Sequence, residues 1–151
     1  MSAFIVTNRH INTIVTWAAD NCIAYKGCTV KGHEQGFVSM LLRENVRSVN
    51  YRYPGESLKP SDFINGGENF YKFQPARLDP AEYDDERHQL AQIVMACKCY
   101  NYQACETDDY TETVAYRFIA TIHGEALRRL GMTTDQVMDR YIDTCTWLIN
   151  D

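Results

Sequence analysis

The residues best equipped for chemistry lie close together in Cys97-Lys98-Cys99-Tyr100-Asn101-Tyr102-Gln103-Ala104-Cys105-Glu106-Thr107-Asp108-Asp109-Tyr110. This stretch brings three thiols, three phenols and several carboxylates to one helix-to-helix junction. A nucleophilic cysteine needs a base or cation beside it to lower its pKa. His88 stands nine residues before Cys97, and the neighbouring acids would raise a thiol's pKa. Structural zinc calls for paired ligands such as C-x₂₋₄-C matched by a second pair. Cys22 and Cys28 are too far apart for that pairing, as are Cys99 and Cys105; Cys97 and Cys99 are too close, and His10, His33, His88 and His123 form no H-x₃₋₅-H pair. The expectation is that the six cysteines are reduced and mostly serve as small buried hydrophobes. The competing reading is a thiol- or metal-dependent enzyme centred on Cys97, Cys99 and Cys105.

The same stretch has two non-catalytic readings. In one it is a structural corner whose tyrosines bond to nearby backbone. In the other it presents tyrosines and acids to a protein partner, since tyrosine is favoured at interfaces. Charge favours the second. The chain carries a formal net charge of −5, yet Asp79 to Glu112 holds nine acids against two bases, while Lys26 to Arg52 holds five bases against two acids. The candidate partner-binding residues are therefore Asp84, Asp85, Glu86, Tyr100, Tyr102, Glu106, Asp108, Asp109 and Tyr110. Pairing of the acidic and basic regions within one molecule is the plainer alternative, and pairing between copies is a third.

A further segment, Ala126 to Val137, has the look of a helix-turn-helix with Gly131 at the turn. DNA recognition would turn the second helix toward phosphates and bases. That helix carries Asp135, Asp139 and Asp143 one turn apart, and Arg140 is its only base, so direct nucleic-acid binding is not expected. There is no P-loop, G-x-G-x-x-G, G-x-S-x-G or H-E-x-x-H motif, and no cofactor is expected.

These groups must be positioned by helices. The chain's 151 residues, 45% hydrophobic and 23% charged, fit one globular domain. A first helix, capped by Thr7 or Asn8, runs on Ile11, Ile14, Val15 and Ala18. A second starts near His33 and uses Val38, Leu41, Leu42, Val46 and Val49; Asn45 shares that stripe and needs a partner if buried. The end of this helix, Val49 to Tyr53, also fits an extended strand. Residues 54–79 form a long ordered connection packed on the helices, with a short strand at Phe70 to Phe73. Asp79, Pro80 and Glu82 open a third helix, which is expected to last to about Tyr100. Asp109 and Glu112 open a fourth on Val114, Ala115, Phe118, Ile119, Ile122 and Ala126, closed by Gly131. Thr133 and Gln136 open a fifth on Val137, Tyr141, Cys145 and Leu148. The expected fold is mainly α, one domain of about five helices. No apolar run is long enough for a membrane span and the N-terminus does not resemble a signal peptide, so a cytoplasmic location in a bacterial host is expected.

Phe4-Ile5-Val6, Glu44 to Tyr53 and Cys99 to Glu106 resemble a family of small uncharacterised proteins from bacteriophages, plasmids and other mobile elements. The resemblance spans most of the chain outside residues 54–79 and brings no assigned activity or site. It implies an accessory protein that binds and modulates a host protein or complex, including a defence system. The resulting expectation is a non-enzymatic binding protein with an acidic, tyrosine-rich surface.

Overall fold

The computed structural model describes residues 8–52, 72–78, 86–105 and 114–142. Their secondary structure runs α1 (Asn8–Asp20), β1 (Ala24–Tyr25), β2 (Cys28–Thr29), α2 (Glu34–Arg52), α3 (Glu86–Cys105), α4 (Val114–Leu130) and α5 (Thr134–Tyr141). This is the mainly helical architecture expected, with the addition of a two-strand hairpin.

The middle of α3 explains the arrangement. Every residue from Leu90 to Cys97 is buried, and so is Tyr100. A helix that is apolar on all sides must be surrounded, and α3 touches α1, α2, α4 and α5. Its closest partner is α4, which follows after eight residues and buries Ala115, Phe118, Ile119, Ile122, Ala126 and Leu130. The two lie antiparallel, because Arg87 at the start of α3 donates to Leu130 O at the end of α4 (3.2 Å). The expected face of α1 is fully buried: Ile11, Ile14, Val15 and Ala18 all have zero exposure. Val38, Leu41 and Leu42 do the same for α2.

Helix ends follow local chemistry. Thr133 and Gln136 form a reciprocal capping box at the start of α5. Gly131, with φ +69°, closes α4 by donating to Leu127 O and Arg128 O. The same kind of closure ends α1: Cys22 N donates to Ala19 O and Ile23 N to Ala18 O, with Cys22 itself at φ +58°. The chain then turns through Lys26 and Gly27, both at positive φ, as the two-residue hairpin loop between Tyr25 and Cys28 requires.

Residues 72–78 are extended and lie along α1. Gln74 N donates to Asn12 Oδ1 (2.8 Å) and Ala76 N to Thr16 Oγ1 (3.1 Å). Two residues of extended chain advance about 6.6 Å and four residues of helix about 6 Å. Alternate backbone N–H groups therefore meet side chains one helical turn apart. Phe73 N adds a bond to Gln35 Oε1 on α2 (2.6 Å), and the Phe73 side chain packs on the core.

Of the two readings of Val49 to Tyr53, the helical one holds as far as Arg52, where α2 ends. Two expectations need correction. Helix α3 runs to Cys105, five residues past Tyr100, since nothing between them breaks a helix. Lys72 and Phe73 are not in a strand; the Phe73 N–H meets the Gln35 side chain of α2 and not a second strand. The caps at Asp79 and Asp109, and the helix positions Cys145 and Leu148, lie outside the described residues.

Candidate functional site

The thiols are placed where a nucleophile would be least effective. Cys97 is fully buried in α3, and removal from water, with Cys99 adding to it, pushes its thiol pKa well up. Burial raises Cys99 as well, and the nearby Lys98 offsets this only in part. Both shifts favour the protonated thiol over the reactive thiolate. His123 on α4 is pushed down by burial first and by Lys98 second, so it too is favoured in its uncharged form. Its Nε2 lies 3.4 Å from Thr134 Oγ1 at the start of α5. Among the described residues, no three His, Cys, Asp or Glu side chains converge in the way a metal site needs. Cys105 ends α3, and its side chain lies outside the described set.

Tyr100 departs from the surface role expected of it. It has zero exposure, and its hydroxyl donates to Leu41 O of α2 at 2.8 Å. Its position on the inner face of α3 makes it a tie between α3 and α2, as the structural-corner reading anticipates. Tyr102 lies on α3, but its side chain is outside the described residues, as are Asp84, Asp85, Glu106, Asp108, Asp109 and Tyr110. Glu86 opens α3 and is exposed.

What surrounds Glu86 was not legible from spacing. The next residue, Arg87, reaches across to both ends of α5. Its guanidinium donates to Leu130 O (3.2 Å) and Met132 Sδ (3.4 Å) before α5, and to Tyr141 Oη (3.4 Å) in its last turn. His88 packs edge-on against the Tyr141 ring, with centroids 5.2 Å apart. Arg87 also shares a shallow hollow with Gln136, Asp139 and Arg140. The start of α3 and the outer face of α5 thus occupy one end of the molecule. Asp135 and Asp139 are exposed on α5, one turn apart, and Asp139 lines the hollow with Arg87. Arg140 lies over the Tyr141 ring at 5.4 Å. The sequence separates Arg87 from Asp139 by about fifty residues, and their shared hollow is visible only in the fold.

The helix-turn-helix outline is real in shape, with α4, a turn at Gly131 and α5. Its second helix nevertheless exposes Asp135 and Asp139, and like charges would repel a phosphate backbone. Arg128 and Arg129 at the end of α4 are paired with Glu125, whose pKa they hold down to about 2, Arg128 contributing most. Arg129 also donates to Asn21 Oδ1 (2.7 Å) and lies over the Trp17 ring. These cations fasten α4 to itself and to the end of α1.

No protein-family model, curated protein or solved structure matches this chain. Among the described residues, no helix is long and apolar enough to cross a membrane.

Proposed function

We propose that this chain is a non-enzymatic binding protein that engages another protein through an acidic face. The supporting observation is the latch made by Arg87, which ties the start of α3 to α5 and to a hollow lined by the exposed Asp139. In sequence, Glu86 ends a run containing Asp79, Glu82, Asp84 and Asp85. The upward shift of the Cys97 and Cys99 pKa values argues against the thiol-enzyme alternative. An acidic face selects a partner with a basic surface, through faster encounter and rejection of acidic competitors. A nucleic-acid-processing or defence complex of a bacterial host has such a surface in its nucleic-acid channel. That choice of partner rests on the resemblance to mobile-element proteins, as does a cytoplasmic site of action.

The test is parallel capture from a bacterial lysate. One bait is the native chain; the other carries Asp84→Asn, Asp85→Asn, Asp108→Asn, Asp109→Asn, Asp135→Asn and Asp139→Asn. A protein retained by the first and lost by the second is the expected result. Equal retention by both baits would discard the acidic-face reading.

A further inference from the structure

A second feature lies beside Glu86, on the side facing α1. Between the later half of α1, residues 76–78 and the first turns of α3 there is a cleft of about 380 Å³. Its apolar lining includes Trp17, Leu78 and Ile93, and it receives carboxylates from two elements, Asp20 of α1 and Glu86 of α3. The volume falls within the range of about 300–1,000 Å³ typical of ligand sites.

The charges in the cleft are not balanced. Arg77 donates to Asp20 Oδ1 at 3.1 Å, which occupies both members of that pair. Glu86 is the carboxylate left over, and among the described residues nothing is bonded to it. Thr13 also lines the cleft and is only 4% exposed, yet no hydrogen bond to another described residue engages its hydroxyl. Trp17 supplies an aromatic surface that already takes one guanidinium: Arg129 lies 5.4 Å from its ring centroid.

We infer that this cleft receives an arginine side chain presented by the partner protein. A guanidinium meets each feature in turn. Its planar fork matches the Glu86 carboxylate. Its spare N–H groups suit the Thr13 hydroxyl oxygen, its flat face suits the indole, and its hydrocarbon stem suits Leu78 and Ile93. A lysine ammonium would satisfy the charge but would leave the planar contacts unmade. The inference rests on the acidic-face reading and names the side chain that such a face would anchor.

The probe is Nα-acetyl-arginine amide, with the citrulline analogue as its uncharged isostere. Binding is read from the Trp17 indole N–H resonance of the ¹⁵N-labelled full chain. A saturable shift is expected with the arginine compound and none with citrulline, and Glu86→Gln should weaken the arginine compound about ten-fold. Absence of a saturable shift, an equal response to citrulline, or unchanged affinity in Glu86→Gln would each overturn the inference. Glu86 is native in both capture baits, so the two ideas fail separately. Charge-dependent capture without an arginine response removes the cleft alone, whereas an arginine response with charge-independent capture removes the acidic face alone.

Discussion

Asn45 shows most clearly how a residue's type can be legible while its circumstances are not. Its place on the stripe with Leu41, Leu42 and Val46 predicts burial, and it is fully buried. Among the described residues the partner that burial demands is missing: neither Oδ1 nor Nδ2 has a hydrogen bond there. Leaving a buried amide unsatisfied costs about 1–3 kcal/mol, and an apolar side chain of similar size avoids that cost. Asn45→Leu should therefore raise stability by about 1–2 kcal/mol. The urea midpoint would move up with an unchanged slope. A lower midpoint would mean that the amide is engaged in a way the structure does not show. Tyr100 gives the opposite lesson. Phenols near carboxylates read as surface, yet the period of α3 turns Tyr100 inward to Leu41 O. Only Glu86 of the nine expected partner-contact residues is both described with its side chain and exposed.

Elements were readable where an end carried its customary residue. Gly131 marks the close of α4, and Thr133 with Gln136 marks the opening of α5; both are where spacing puts them. The close of α1 uses the same hydrogen bonds as that of α4 but places Cys22 in the left-handed position, so no glycine signals it. The hairpin was missed for a related reason. Each strand has two residues, and Lys26-Gly27 lacks the Asn or Asp that usually announces such a turn. Along α1, Asn12, Thr13 and Thr16 look like a solvent face, yet all are buried, two of them because residues 74 and 76 bond to them. A contact sixty residues away in the chain leaves no periodic trace. Side chains in the left-handed region carry a conformational cost that glycine avoids. Cys22→Gly should accordingly stabilise the chain by about 0.5–1 kcal/mol, read from the thermal midpoint. A drop in the midpoint would show that the Cys22 side chain contributes packing that outweighs its strain.

At the scale of the whole molecule, four helices enclose α3, and the packing that makes the core also selects which charges meet. The composition predicts a helical fold, and an acidic region is visible in the count of Asp79 to Glu112. It does not reveal that Arg87 latches the start of α3 to α5, beside Asp139. Nor does it show that Trp17 and Glu86 share a cleft. The first depends on the packing of α3 against α4 and α5, the second on that of α3 against α1, and both are long-range features. Burial of the Cys97 thiol follows from the same enclosure, since it lies mid-helix in the element that is covered on every side. The most direct measurement is the dissociation constant of the purified complex with the captured partner across rising salt, from about 50 to 500 mM, where screening shortens the reach of charge from about 14 to 4 Å. The account predicts steep weakening for the native chain and a shallow dependence for the chain with its acidic face neutralised. An affinity that ignores salt, and is the same for both chains, would contradict it.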